Sequence, residues 1–172
     1  FMVIGSVTYL TGQQVEYILQ EKDIFFWQMN VQNFFAENTR QAELEKAVKT
    51  ICAAIDEKDL FMLTTTPKPG EKMLNLPEIG ARLGCSVEEV SKILSDTLTE
   101  TARRVLLETN KFDGIYSSGG DIAVSLLQRL GALGVDVRDE VMPLAVYGHL
   151  IEGELPNIKV VTKGKKEKTR DT

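Results

Sequence analysis

The chain has 172 residues, 43% of them hydrophobic and 26% charged, and it carries a formal net charge of −5. This length allows one domain with a substantial core, and the acidic balance excludes a general nucleic-acid binder, which needs a basic surface. Because the sequence has no membrane-length apolar run, no signal-peptide pattern and only two distant cysteines, we expect a cytoplasmic protein without a disulfide framework or a metal-ligand set.

Apolar segments of strand length alternate with segments of helical period along the whole chain. The predicted strands are 1–7, 23–30, 59–66, 112–118, 135–142 and 158–163. The predicted helices are 11–20, 40–58, 77–83, 86–110 and a last one that starts near residue 121. This alternation predicts one α/β domain over residues 1–172, with a mostly parallel β-sheet flanked by helices on both faces in three layers. The chain opens within a strand and stops in a charged run, so we expect it to be part of a larger protein.

Ligands of parallel α/β sheets bind where the carboxyl ends of strands lead into helices, so these junctions are the first candidates for a site. After the first predicted strand, Gly5 allows close approach of the backbone and Ser6 offers a hydroxyl. Thr11 is placed to cap the next helix. An ordinary strand-to-helix turn explains the same residues, and this junction alone does not decide between the two interpretations.

The segment SSGGDIA, residues 117–123, joins a predicted strand to the last predicted helix. The bare N–H groups of Gly119 and Gly120, with the positive end of the helix dipole, would form a cradle for phosphate oxygens. Asp121 would cap the helix, turn away, or hold a cation such as Mg²⁺. The pattern is neither a Walker loop nor a dinucleotide fingerprint, and a glycine turn with an aspartate cap is the alternative.

The last predicted strand ends in Thr162, Lys163 and Gly164, which combine a hydroxyl, a cation and a flexible backbone. Phosphate binding is one use of this combination, and a solvated basic tail is the other. Because the carboxyl ends of parallel strands can meet at one edge of the sheet, the three junctions together favour an anionic ligand more than any one of them does.

The segment 76–94 has the apolar spacing of a helix-turn-helix motif, which raises the alternative of DNA binding. Its second helix offers Glu88, Glu89 and Asp96 against Lys92, a face that would repel DNA. We therefore expect a helical hairpin over the sheet and no nucleic-acid partner. His149, the only histidine, is expected to be a loop or packing residue, and no catalytic base is identified in the chain.

Four segments in order, VIGSVTYLTGQQVEYI, GIYSSGGDIAVSLLQRLGA, DEVMPLAVYGHLIEG and IKVVTKG, carry a family resemblance. They resemble the carboxy-terminal, nucleotide-binding domain of the four-carbon acid sugar kinases, long labelled domain of unknown function 1537. The resemblance implies a phosphotransferase that uses ATP and Mg²⁺ to phosphorylate tetronate-type acids such as threonate or erythronate. It also implies nucleotide contacts from six residues: Ser6, Gly119, Gly120, Asp121, Ile122 and Gly164.

The sequence departs from the family pattern at two positions. Ile122 stands where threonine is usual, and Lys165 and Lys166 follow Gly164 where a glycine-rich loop is usual. The preceding half of these kinases, which holds the acid sugar, is absent, so we expect the chain to be inactive without that domain. The alternative is a non-catalytic module that binds a nucleotide or a phosphorylated metabolite. The sequence does not identify which four-carbon acid is the substrate. It also leaves the oligomeric state open and allows a homo-oligomer.

Overall fold

A seven-stranded sheet forms the centre of the protein in the computed structural model, which describes residues 1–5, 8–68 and 70–164. The strands are β1 (Met2–Ile4), β2 (Ile24–Gln28), β3 (Leu60–Thr64), β4 (Gly114–Ser118), β5 (Gly134–Met142), β6 (Ala145–Ile151) and β7 (Lys159–Lys163). The helices are α1 (Tyr9–Glu21), α2 (Glu37–Ala53), α3 (Leu76–Leu83), α4 (Val87–Thr109) and α5 (Gly120–Arg129), with a short 3₁₀ helix (Val31–Phe35) before α2. The order across the sheet is β2, β3, β1, β4, β7, β6, β5.

The prediction of a mostly parallel sheet with helices on both faces is confirmed. The five strands from β2 to β7 in that order pair in parallel, and β6 and β5 extend the sheet by antiparallel pairing. Helices α2 to α5 bury their apolar residues in the larger core on one face, where Phe61, Leu98 and Leu106 are almost fully buried. On the opposite face, α1 forms a smaller core in which Val15 packs with Ile4 and Met62.

The uneven distribution of the helices follows from the handedness of the connections. The connection from β1 to β2 runs toward one edge of the sheet, whereas those from β2 to β3, from β3 to β4 and from β4 to β5 run the other way. Since crossovers between parallel strands are right-handed, opposite directions place helices on opposite faces. Helix α1 is therefore alone on its face among the described elements, and β7 and β6 have no helix over them there.

Strand β6 is the element that the sequence pattern did not predict. It pairs with β5 in an antiparallel hairpin that turns through Pro143 and Leu144, and Leu144 adopts a φ of 70°. His149 lies in this strand, where its ring packs edge-on against Tyr147 at 5.5 Å between centroids. Of the two alternatives expected for His149, a loop residue or a packing residue, this contact supports the packing residue.

The two helices at 76–109 form the expected helical hairpin over the sheet. Helix α3 ends at Gly84 in the left-handed conformation, and Ser86 and Glu89 form a reciprocal capping box at the start of α4. Ile79 and Val90 enter the larger core, which leaves the acidic side of α4 exposed. Within the part of the chain that the structure describes, no helix is long and apolar enough to cross a membrane.

We expect Glu43→Ala to lower the free energy of unfolding by about 1–3 kcal/mol. Glu43 is only 6% exposed, and its carboxylate accepts hydrogen bonds from the Asn30 backbone N–H at 2.8 Å and from Asn33 Nδ2 at 2.9 Å. Removing it leaves these donors without their partner. Urea unfolding measures the loss, with the exposed Glu45→Ala on the same helix as the control. Equal stability of the two variants would contradict the assigned role of Glu43.

Candidate functional site

The carboxyl ends of β1 and β4 lie at the point where the connections of the sheet diverge. The chain leaves β1 toward one edge of the sheet and leaves β4 toward the other, which is the arrangement where open α/β sheets bind ligands. Ile4 is in register with Ser118, and Ser118 is in register with Lys163 of β7. The three strand ends that the sequence predicted as a joint site are therefore neighbours.

Backbone hydrogen bonds continue between the strands into the glycine junctions. The Gly5 N–H donates to Ser118 O at 3.4 Å, and the Gly119 N–H donates to Lys163 O at 3.2 Å. The Gly164 N–H donates to Leu144 O at 2.9 Å. The N–H groups of Gly119 and Gly164 are thus engaged within the fold, and Ser6, the remaining predicted contact at these ends, lies outside the described residues.

Helix α5 presents open backbone donors at its first turn. Gly119 precedes it with a φ of 112°, which favours glycine, and the first helical hydrogen bond runs from Ala123 N–H to Gly119 O at 3.0 Å. The N–H groups of Gly120, Asp121 and Ile122 therefore precede the helical ladder. A Cβ at Gly120 would meet nothing within 4 Å. This helix end can accept an anion, and the dipole favours it.

Of the three roles that the sequence left open for Asp121, the capping role is wrong. Gly119 occupies the capping position without a side-chain hydrogen bond, and Asp121 lies inside the first turn with an exposed side chain. A carboxylate in the first turn stabilises the helix through the dipole. In residues 1–5, 8–68 and 70–164, no cluster of three or more histidine, cysteine, aspartate or glutamate residues is suited to hold a metal ion.

The side chain of Ile122 points into the core and not toward solvent. It is 5% exposed, and a Cβ added to Gly5 would lie 2.4 Å from Ile122 Cδ1 and 3.0 Å from Leu98 Cδ2. The close packing of Ile122 under the end of β1 therefore requires glycine at position 5. Only the backbone N–H of Ile122 remains available to a ligand.

A crevice of about 360 Å³, here called the α1 crevice, opens beside these strand ends between α1 and the sheet. Its wall is mostly apolar and includes Ile4, Val15, Ile18, Tyr116 and Met142. Its polar groups include Thr11, Gln14, Ser118 and Lys163. The crevice exists because α1 covers β1 and β3 but leaves the same face of β7 bare.

The α1 crevice carries positive charge. Lys163 Nζ donates to Gln14 Oε1 at 2.9 Å, and no carboxylate lines the crevice among the described residues. Burial raises the pKa of the Tyr116 phenol above its usual value, against the opposing effect of a hydrogen bond with Ser118, so the phenol is neutral near pH 7. An anionic group entering this crevice would meet the ammonium of Lys163 and no negative side chain of the described wall.

A larger groove, of about 530 Å³, lies between α4 and α5 and reaches Asp121 in the first turn of α5. Its wall carries Glu88, Asp96 and Asp121 against Lys92, so an anion would meet net negative charge there. Although this groove is bigger, charge and topology both favour the α1 crevice as the functional site.

Sequence reasoning identified the glycine junctions but not the wall of the crevice. Gln14, Tyr116 and Met142 come from separate parts of the chain and carry no local motif. The predicted cap at Thr11 is also wrong, because α1 begins at Tyr9 and the Thr8 side chain accepts from the Thr11 N–H at 3.3 Å. Thr11 is instead a buried residue of the crevice wall. The sequence did offer a signal for this position: Thr11 and Val15 are one helical turn apart, which places both side chains on the same face of α1.

Comparisons with known proteins identify the family and relatives of the chain. Residues 1–164 match the family model described as nucleotide-binding C-terminal domain. The chain is 34% identical over 164 residues to D-erythronate kinase from Heliobacterium modesticaldum, covering 95% of this chain and 37% of that protein. It is 24% identical over 162 residues to D-threonate kinase from Salmonella typhimurium, covering 94% and 38%. The chain thus spans little more than a third of either kinase.

The fold has a solved counterpart. A crystal structure of a domain of unknown function 1537 protein from Bordetella bronchiseptica, a domain-swapped dimer with bound citrate, superposes with a TM-score of 0.67. The two sequences are 22% identical, and the match covers 95% of this chain and 36% of that one. At this identity the likeness supports the α/β fold and carries no statement about ligands.

We expect Gly5→Ala to lower the free energy of unfolding by about 1–3 kcal/mol, because its Cβ would overlap Ile122. In the double variant with Ile122→Ala the overlap with Ile122 disappears. The loss measured for the double variant should therefore be at least about 1 kcal/mol smaller than the sum of the losses of the two single variants. The control pairs Gly5→Ala with Leu106→Ala, a buried position near the C-terminal end of α4, and the two losses of unfolding free energy should be additive there. Additivity in both pairs, measured by urea unfolding, would contradict the Gly5–Ile122 contact.

Proposed function

The chain belongs to the family of nucleotide-binding C-terminal domains, as its sequence resemblance indicated, and on that premise we propose that the α1 crevice binds ATP together with Mg²⁺. The observation that carries the proposal is the position of a mostly apolar, positively charged crevice at the diverging ends of β1 and β4. An apolar wall with a few polar groups is the usual composition of a small-molecule site. The open N–H groups of α5 supply the adjoining anion site.

The proposed binding mode uses the two parts of the site separately. The base and ribose would lie against the apolar wall beside Tyr116, and the phosphates would extend to the first turn of α5. There the N–H groups of Gly120, Asp121 and Ile122 would donate to phosphate oxygens, and the bare backbone of Gly119 would allow close approach. The contacts of Ser6 and Gly164 stay predictions. For Gly164 the contact would use close approach, because its N–H is already bonded.

The carboxylate of Asp121 fits a role in holding Mg²⁺. It is exposed at the start of α5 and makes no ion pair within the described chain. Magnesium is commonly held by one or two carboxylates together with substrate phosphates and waters, so one carboxylate suffices. The ion would neutralise the charge that develops on the phosphates during phosphoryl transfer.

We propose further that the bound nucleotide serves phosphorylation of a four-carbon acid sugar, as the names of the two related kinases suggest. No carboxylate or histidine lines the α1 crevice within the described residues, so this domain offers no base for the acceptor hydroxyl there. The acid sugar and that base would belong to a preceding domain of a two-domain cytoplasmic kinase, and this chain alone would be inactive.

The same lack of a base favours a second candidate, a module that binds a nucleotide or a phosphorylated metabolite without chemistry. A phosphoryl-transfer assay on the protein that the intact gene encodes separates the two functions. Transfer from ATP to threonate or erythronate supports the kinase. Binding of Mg·ATP without transfer to any four-carbon acid supports the module.

Mg·ATP should raise the melting temperature of the 172-residue chain. At a hundredfold excess over its dissociation constant, a ligand stabilises the folded state by about 2.7 kcal/mol, which corresponds to roughly 5–11 °C at this size. Thermal unfolding with Mg·ATP, Mg·GTP and MgCl₂ alone measures the shift and its base specificity. An unchanged melting temperature at millimolar Mg·ATP would contradict a nucleotide site in this chain.

Gly120→Leu should abolish Mg·ATP binding without lowering the melting temperature of the free protein. The added Cβ enters open space with no protein atom within 4 Å, and the rest of the side chain would cover the donors at the start of α5. Gly120→Ala should give a smaller loss. Val124→Leu, one turn along the same helix and 54% exposed, is the control. Isothermal titration calorimetry measures the affinities. Unchanged Mg·ATP affinity in Gly120→Leu would contradict the proposed phosphate contacts at the start of α5.

A further inference from the structure

Lys163 joins the two parts of the candidate site. Its backbone carbonyl accepts the Gly119 N–H at 3.2 Å, and so fixes the residue that precedes α5. Its side chain lies on the α1 face of the sheet and lines the α1 crevice. The position of its backbone relative to the start of α5 is therefore set by the sheet itself.

The ammonium of Lys163 is paired with a neutral group. Its contact is Gln14 Oε1 at 2.9 Å, whereas Lys58 and Arg103 at the surface contact carboxylates. Lys163 is partly buried and forms no salt bridge with a described residue. A partly buried cation without a counter-ion attracts an anionic ligand more strongly than a paired one, because no carboxylate competes for it.

The contact with Gln14 leaves donor capacity for a ligand. An ammonium group has three donors, and the amide oxygen of Gln14 takes one of them. Two donors remain without displacing Gln14, and the amide tethers a long, flexible side chain to α1. A glutamate at position 14 would tether it as well, but would cancel its charge.

We propose that Lys163 binds the phosphate chain of the nucleotide and that Gln14 is its positioning residue. The inference rests on the proposed nucleotide function and adds to it a side-chain phosphate contact and the residue that orients it. It also assigns a role to the lysine for which the sequence left phosphate binding and a solvated tail as alternatives.

The test compares the affinities of ATP, ADP, AMP and adenosine, with magnesium present, for the wild-type chain and Lys163→Met. We expect the affinity for ATP to fall roughly 10- to 100-fold, the loss of a charge-assisted hydrogen bond. The loss should shrink as phosphates are removed, and adenosine should bind as in wild type. Lys163→Arg should recover part of the ATP affinity. Lys159→Met removes the same charge from the other end of β7 and should change none of these affinities.

Gln14→Glu tests the positioning residue. It keeps the tether but pairs the ammonium with a carboxylate, so ATP affinity should fall while adenosine affinity holds. Gln14→Met removes the tether without adding charge and should cause a smaller loss. If Gln14→Glu binds ATP as wild type does, Gln14 has no such role.

Two outcomes would overturn the assignment of Lys163. Equal losses for ATP and adenosine in Lys163→Met would mean that the side chain only shapes the crevice wall. Unchanged ATP affinity would mean that the phosphates lie elsewhere. If the wild-type chain binds none of the four ligands, the proposed nucleotide function fails first and the inference fails with it.

Discussion

The right-handedness of β-α-β connections is the constraint on which the site depends. One connection of this sheet runs against the direction of the others, so α1 is the one helix on its face among the elements that the structure describes. The reversal of direction separates the loops at the ends of β1 and β4, and the solitary helix leaves the neighbouring strand β7 uncovered. Together these two consequences create the α1 crevice. The apolar side chains of its wall then supply the chemistry of a small-molecule site.

The first turn of α5, the proposed anion site, is held in place by contacts at the other end of the helix. At the other end of the helix, Arg129 donates to Thr99 Oγ1 at 3.0 Å and to Glu100 at 2.9 Å, and it pairs with Asp96 at 3.2 Å. Burial acts to raise the pKa of Asp96, but hydrogen bonds from Lys92 and Arg129 outweigh it and hold the pKa below its usual value. The carboxylate therefore stays charged and keeps α5 against α4. With Ile122 packed at the first turn, both ends of the helix are fixed.

The charge within the candidate site, and not the net charge of the protein, favours a negatively charged ligand. The protein carries a net charge of −5, which at long range disfavours the approach of another anion. Salt screens that repulsion beyond about 8–10 Å. In the candidate site, the ammonium of Lys163, which has no carboxylate partner among the described residues, and the open donors of α5 would act at hydrogen-bond distance, where screening is weak. A carboxylate beside Lys163 would cancel the charge of its ammonium, and none lines the described wall of the crevice.

The sequence by itself determined the α/β class, the helical hairpin and the junction SSGGD, because hydrophobic period and glycine placement are local properties. It missed β6, since AVYGHLI reads equally as a loop until β5 and β7 provide partners on both sides. It left the cap of α5 open to Asp121, which lies two residues past the capping residue Gly119. Only the tertiary structure decided that Gln14 and Lys163, 149 residues apart, share one crevice. Such a contact depends on strand order and crossover hand, which no local pattern encodes.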